Sequence, residues 1–571
     1  MSKKRFFSLV IGVILAGMLL ASSKGQPPAA LTGVVTSDAE GRMEGVLVTA
    51  RLEGGNISVT VVSDAQGRYS FPANRLQAGR YILAIRAVGY ELPGQTAVEI
   101  ETNKTRHADI KLAKAKELAS QLTGGEWMTS VPGNEKQKRA LFHCDTCHSL
   151  DVIAKSTYDA EGWLSTLPRM QFYWFGNSMI TQPIPPPRPT KQAPVDPELA
   201  KYLSSINLSG GRTTWTYELK TFPRPRGADT KVIITEYKLP RSGSMPHDVA
   251  IDREGNVWYD DFQSPNIGRL DPRTGKVKEW TLPVLKPGHP EWSQSMDLDK
   301  EGNLWIPRFY QGCSATMFDI KTEEFHTLSA PAEYNGDHAS CGQGMVAPNG
   351  TVWLSEQRSG MMFELDPKTG TVRTFAAYPP GAPKFTGPLS PLFYFGVDEK
   401  FGGDEARYHF TYGGAVDSNG DPIYCDIGGS TIAVLDHTTG QVTLYSTPTP
   451  NSAPRRGRID TGGHFWFGEW MASQLGMFDP KTKNIKEWRP PTPWSGLYSA
   501  AGDRNGDAWA GGMSTDYVYR LNSKTGEWRE YLLPTLGGQI RDIRIDDSGT
   551  PERVWVPLDH AGIIAKIEPL E

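Results

Sequence analysis

The sequence predicts a multidomain, mainly β chain: a small β-sandwich, a small α-helical domain, and a seven-bladed β-propeller closed by its own N-terminal strand. Three observations predict this. Beyond residue 231 a unit of short strand-like runs recurs, with its marker aromatic at Trp258, Trp305, Trp353, Tyr424, Trp466, Trp509 and Trp555. The markers stand 42 to 48 residues apart, with one gap of 71, which is the period of a four-stranded blade. Residues 30–113 alternate apolar and polar in short runs between glycine turns, and residues 115–208 switch to helical periodicity around a Cys-x-x-Cys-His. A chain of 571 residues exceeds what one core usually serves. Its 60 basic and 64 acidic residues predict no nucleic-acid partner and no pull toward an anionic membrane.

The first element is a leader. Lys3, Lys4 and Arg5 precede an apolar run from Phe6 to Ala21 and a polar exit, the layout of a secretory signal peptide over residues 1–23. Sixteen apolar residues are short for a span of about twenty, so no stable membrane span is expected after cleavage. The expected location is periplasmic or secreted. Export frames the five cysteines: Cys144 and Cys147 belong to the motif, leaving Cys313, Cys341 and Cys425. Three allow one internal disulfide; Cys313 with Cys341 is a candidate pair that sequence alone does not fix.

The second element is the sandwich. Runs such as "LTGVVTSD", "GVLVTARL" and "RYILAIRAVGY" alternate with period two, separated by Ala39-Glu40-Gly41 and Ala65-Gln66-Gly67 turns. The stretch "GVVTSDAEGRMEGVLVTARL…SDAQGRYSFPANRLQAGRYILAIRAVGYE" resembles the carboxypeptidase regulatory-like domain. That resemblance implies a prealbumin-like sandwich of carbohydrate-binding-like fold, serving folding, spacing or glycan contact.

The third element is helical. "EKQKRALFHCDTCHSLDVI" predicts a helix running into the motif, "DAEGWLSTLPRMQFYW" a second, and "DPELAKYLSSIN" a third with Asp196 as cap and Pro197 at its first position. "TQPIPPPRPTKQAPVDP" is too proline-rich for a helix and predicts an extended wrap. Cys144-x-x-Cys147-His148 attaches haem c through two thioethers. A redox dithiol or half a zinc site would not need the adjacent histidine. The combination "CDTCH…EGWLSTLPRMQFY…ELAKYLSSIN" resembles small class I cytochrome c domains across this segment. The resemblance implies His148 as the proximal iron ligand, with Met170 opposite and Met179 as the alternative. A thioether opposite histidine suits an electron carrier.

The propeller follows. The last unit lacks an outer strand, and "KVIITEYKLP" at residues 231–240 supplies one, which predicts ring closure between the two ends. Asp417–Asp421 and Asp503–Asp507 look like calcium loops, but Gly428 and Ser514 stand where a twelfth-position Glu is needed, so hairpin turns are expected. The 71-residue gap holds an insertion with Phe385, Phe393, Tyr394 and Phe395, expected as a lid on the mouth or a dock for the helical domain. Two rings of repeat positions are expected to converge on one mouth. One is His247, Gln294, Gln343, Tyr412, Arg456, Tyr498 and Arg541; the other is Asp261, Arg308, Glu356, Asp426, Glu469, Gly512 and Asp559. A solvated ring filling a wet channel is the alternative.

The blade "PHDVAIDREGNVWYDDFQSPNIGRLDPRTGKVKEWTLP" resembles the streptogramin B (virginiamycin B) lyase family, seven-bladed propellers that open a cyclic ester by elimination using magnesium. In "APRRGRIDTGGHFWFGEW" Glu469 fits the family's carboxylate, but Arg456 stands where its histidine is expected. His247 with Asp261 keeps the spacing, and Gly512 replaces the carboxylate in the sixth blade. Elimination then lacks its proton carrier.

Three functions remain open. The first is an exported mono-haem electron-transfer protein with a redox partner protein, its propeller binding a substrate or partner. The second is a lyase or hydrolase using His247, Asp261, Glu356 or Glu469 around a divalent metal such as magnesium. The third is an envelope binding or scaffold protein with a small-molecule or glycan ligand.

Overall fold

The computed structural model describes residues 29–146, 148–173, 196–335, 341–357, 360–382, 409–549 and 552–570. The expected leader, Cys147, Met179, the proline-rich segment up to residue 195 and the four aromatics of the insertion lie outside these residues. Among the described residues no helix is long and apolar enough to cross a membrane.

The sandwich's alternation builds two sheets. Ala29–Ser37 pairs with Arg68–Pro72 and Ile110–Lys114 in one, and Leu47–Leu52 lies between Ile57–Val62 and Gly79–Arg86 in the other. The inward positions Leu31, Val35, Val48, Phe71, Leu83 and Ile110 form its core.

Seven sheets make the propeller, each antiparallel. Their innermost strands are Pro246–Ile251, Asp297–Leu298, Cys341–Val346, Thr411–Val416, Pro454–Ile459, Leu497–Gly502 and Arg544–Asp546. The seventh sheet is completed by Val232–Lys238, which pairs antiparallel with Ile563–Pro569 over seven residue pairs. The other edge of Val232–Lys238 pairs with the sandwich strand Ile57–Val62. One eight-stranded sheet therefore runs from the seventh blade into the sandwich. Two edges that would each template aggregation cancel one another. Arg75 forks onto Glu568 at 2.9 and 3.1 Å, and Arg86 meets Asp516 at 2.9 Å, across the same seam.

The marker tryptophans have a local cause. In four blades an Asp six residues earlier opens the hairpin and also accepts the indole N–H: Asp252 from Trp258, Asp299 from Trp305, Asp460 from Trp466 and Asp503 from Trp509, at 2.8–3.0 Å. The same carboxylates take the turn's backbone N–H groups, as Asp503 does from Asn505 and Asp507. In the third blade Ala347 occupies the Asp position, and the buried Trp353 Nε1 has no acceptor. Asp417 caps its hairpin in the same way through the N–H groups of Asn419 and Asp421.

Among the described residues five α-helices follow the sandwich: α1 Gly124–Ser130, α2 Glu135–Cys144, α3 Asp151–Ala154, α4 Ala160–Tyr173 and α5 Pro197–Ile206. Asp196 accepts the N–H of Glu198 at the start of α5. Asn134 and Gln137 cap α2 reciprocally. The helices do not close a core of their own. Leu141, Phe142, Ile153 and Leu203 share one core with Phe410, Tyr412, Trp470, Met471 and Tyr498 of the propeller.

Candidate functional site

The segment from Phe142 to Thr146 leaves the C-terminal end of α2 and lies on the propeller. Phe142 stacks on Trp470 with ring centroids 5.8 Å apart and meets Trp494 edge-on at 5.3 Å. His143 lies 5.6 Å from the Trp470 ring, and Arg139 donates to Met471 O at 2.9 Å. The two residues between the cysteines are held by the seventh blade: Gln539 Nε2 donates to Asp145 O at 2.8 Å and Arg541 Nη2 to Thr146 O at 2.7 Å. Burial pushes the Asp145 carboxyl up to about 7, against the opposing pull of Ser514.

These residues fit a covalent haem. Cys144 is half-buried, and its thiol donates to Ala140 O at 3.5 Å. The Nδ1 of half-buried His148 lies 3.1 Å from Ser149 O, so Nδ1 is occupied as a donor and Nε2 is left as the ring's lone-pair nitrogen. Met170 is half-buried on α4 and stays outside the core that takes Leu167 and Trp163.

The first ring of propeller residues does come together. Arg456 sits at its centre: Nε and Nη2 donate to Gln343 Oε1 at 3.2 and 2.6 Å, Nη2 to Gln294 O at 2.8 Å, and Nη1 to Asp248. Burial opposes its charge, but the carboxylates of Asp248 and Asp542 outweigh it and hold the pKa above the ordinary value. His247 Nδ1 lies 2.8 Å from Asp248 Oδ1, and its ring is 6.2 Å from that of Tyr498. Burial, then Arg456 and Arg541, drop the His247 pKa far below the usual imidazole value. The Tyr412 and Tyr498 hydroxyls are 2.6 Å apart. All seven residues of this ring are buried.

The expected open mouth is corrected by this packing. One end is covered by the helices, and the centre is filled by ion pairs of Arg456, Arg458 and Arg544 with Asp248, Asp297 and Asp542. The cavity beside them is about 20 Å³, room for about one water.

The second ring does not converge, which corrects a further expectation. Its members mostly hold partners close to their own strand ends. Asp261 takes Arg241 at 2.6 Å and the N–H groups of Gln263 and Ser264. Asp426 takes His409 at 2.6 Å and the N–H of Phe410. Arg308 donates to Pro283 O and Thr316, and Glu469 accepts from Gln474 at 2.6 Å. Asp559 lies 3.0 Å from Arg541, Glu356 ends its buried strand in the third blade, and Gly512 offers no side chain. The spacing of His247 and Asp261 therefore does not make a catalytic pair, because His247 is bound to Asp248 and Asp261 to Arg241. His247, Asp261, Glu356 and Glu469 form no ligand set: among the described residues no three His, Cys, Asp or Glu side chains could hold a metal ion together. Burial, with Glu487 nearby, lifts Glu469 to about 8.

Sequence reasoning missed Asp248, Asp542 and Gln539, which alternate with residues of the first ring. It also missed α1, although Thr123-x-x-Glu126 is a capping box. Cys313 and Cys341 form a disulfide, and Cys425 is free and buried.

Comparison with known proteins adds the following. Residues 30–113 match the carboxypeptidase regulatory-like domain, and that segment is such a domain. No curated protein matches the chain at a significant level. A solved streptogramin B lyase is 18% identical, with a TM-score of 0.49, over 60% of this chain and 99% of its own. Selenomethionine-substituted virginiamycin B lyase from Staphylococcus aureus is 17% identical, with a TM-score of 0.48, over 59% of this chain and 99% of its own. At such identities no residue's role is carried across.

Proposed function

We propose that the chain is an exported mono-haem c-type electron-transfer protein whose propeller is the seat of the haem-bearing segment. The observation that carries this is the pair of bonds from Gln539 and Arg541 to the carbonyls of Asp145 and Thr146, inside the Cys-x-x-Cys-His itself. Haem c, when attached, supplies a single one-electron couple. The chain's residues do the rest. Cys144 and Cys147 would anchor the group, and His148, with Nδ1 committed to Ser149 O, would offer Nε2 as a ligand. Met170 would be a further ligand in this reading. Trp470, Phe142 and Trp494 keep water from one side of α2. In this reading a partner protein would exchange electrons with the attached group.

The lyase or hydrolase reading has weak support, since Arg456 plugs the axis with its charge already matched. The scaffold reading, with a glycan at the sandwich, draws on the regulatory-like domain alone. The test is expression in a periplasm equipped for haem maturation, followed by ferric and reduced spectra with and without carbon monoxide. A c-type spectrum indifferent to carbon monoxide is expected. A chain that carries no covalent haem would refute the proposal, and a carbon monoxide shift would move the chemistry to an open iron.

A further inference from the structure

Arg455 is buried, 2% exposed, yet its Nε and Nη1 have no acceptor. The other arginines at the axis are matched: Arg456 with Asp248, Arg458 and Arg544 with Asp542, Arg541 with Asp559. Arg455 instead lies in an aromatic cage, its guanidinium carbon 4.5 Å from the Trp470 ring centre, 4.6 Å from Tyr498 and 5.4 Å from Tyr412. Ring faces offset part of the cost of burying a cation, but they accept no N–H in the plane of the fork. A buried guanidinium with open donors needs an anion, and a planar carboxylate matches its geometry.

The surroundings say where that anion comes from. Trp470, which covers Arg455, is the ring on which Phe142 stacks and against which His143 leans. His143 precedes Cys144 directly, and burial, then the nearby Arg455, disfavours its charged form. The cation therefore stands under the end of α2, where the thioether anchor begins. Haem is the one carboxylate-bearing group that this segment is built to carry.

We propose that Arg455 is a carboxylate-binding residue that the propeller supplies to the helical segment, and that the carboxylate is a propionate of the attached haem. This rests on the haem reading above. It gives the propeller a specific task, neutralising a propionate inside the fold and so raising the reduction potential.

The test compares the matured full chain with Arg455→Met and Arg455→Lys. Covalent haem is scored by the pyridine haemochrome, and the propionate by its resonance Raman bending mode and by the reduction potential. With equal haem content, Arg455→Met is expected to shift the propionate mode. It should also change the reduced-to-oxidised ratio at fixed poise at least tenfold toward oxidised, which is 59 mV for one electron. Arg455→Lys, which keeps the charge but not the fork, should fall between. If Arg455→Met fails to fold, Arg455→Lys carries the test through its propionate mode. Unchanged mode and potential in a haem-loaded variant would overturn the proposal and leave the haem reading intact. If the wild type takes up no haem, the haem reading fails by itself. Acetate is then titrated calorimetrically into the wild type and Arg455→Met. Binding lost in the variant would assign the site to a free carboxylate, and equal binding or none would overturn it entirely.

Discussion

Arg541 Nη2 donates to the backbone carbonyl of Thr146 at 2.7 Å, so the seventh blade grips one of the two residues between Cys144 and Cys147. Its Nε lies 3.0 Å from Asp559, a wholly buried carboxylate. At pH 8, above the value of about 7 to which burial lifts Asp559, Arg541→Leu would strand that charge, and breaking a buried pair costs about 3–5 kcal/mol. Urea denaturation of the full chain should show this loss. Arg541→Leu,Asp559→Leu together should recover part of it, because no unpaired charge is left behind. A loss in the double variant as large as in the single one would contradict the pairing.

Stability should fall as pH rises above about 6.5. Burial lifts Glu236 and Asp559 to about 7 and Glu469 to about 8, from 4.5, 3.8 and 4.5. Between the unfolded and folded values the native state holds protons that the unfolded chain has released, so these groups favour folding at low pH and lose that contribution through pH 7–8. His560 acts oppositely: burial, then Arg541, lowers it to about 3, so its contribution is present above 6.5 and is lost as pH falls toward 3. Below 6.5 the two sets oppose; above it His560 no longer offsets the carboxyls. Thermal stability should decline from pH 6.5 to about 8 and level off beyond it, and Glu469→Gln should flatten the upper part of that decline.

The hairpin aspartates should be coupled to their tryptophans. Asp503 accepts from Asn505, Asp507 and Trp509 Nε1, and its loss to Ala should cost about 1–3 kcal/mol. A double-mutant cycle with Trp509→Phe should give a coupling of about 1 kcal/mol. Trp353→Phe should cost less than Trp509→Phe, since Trp353 Nε1 has no bond to lose.

Sandwich and propeller should unfold together. Thr235 pairs with Lys566 on one side and Val59 on the other, so Thr235→Pro breaks a strand that is central to both. Calorimetry of the wild type should give one transition covering both parts. A separate early transition for the sandwich would contradict the shared sheet.

Periodicity carried most of this fold into view. Seven aromatics at blade spacing, the orphan strand at residues 231–240 and the alternation of residues 30–113 each have a local cause that the sequence displays. The mouth was legible only halfway. Repeat position correctly grouped His247, Gln343 and Arg456, because equivalent residues of a ring must share an axis. It failed for Asp261 and Glu469, because a carboxylate at a strand end serves its own blade's turn before it serves the channel. The cover over the mouth was invisible, since nothing in "EKQKRALFHC" says which distant surface Phe142 will stack on. Arg455 did leave a signal: two adjacent arginines inside a strand otherwise destined for burial are rare enough to ask for a partner.

The most direct measurement is a spectropotentiometric titration of the full chain, matured in a periplasm, followed at its α-band. One reversible one-electron transition, unaffected by carbon monoxide and displaced in Gln539→Leu, is the predicted result, because Gln539 holds the attachment loop to the seventh blade. A chain with no haem band to titrate would contradict the account at its centre. A haem whose potential ignores Gln539 would contradict the role given to the propeller.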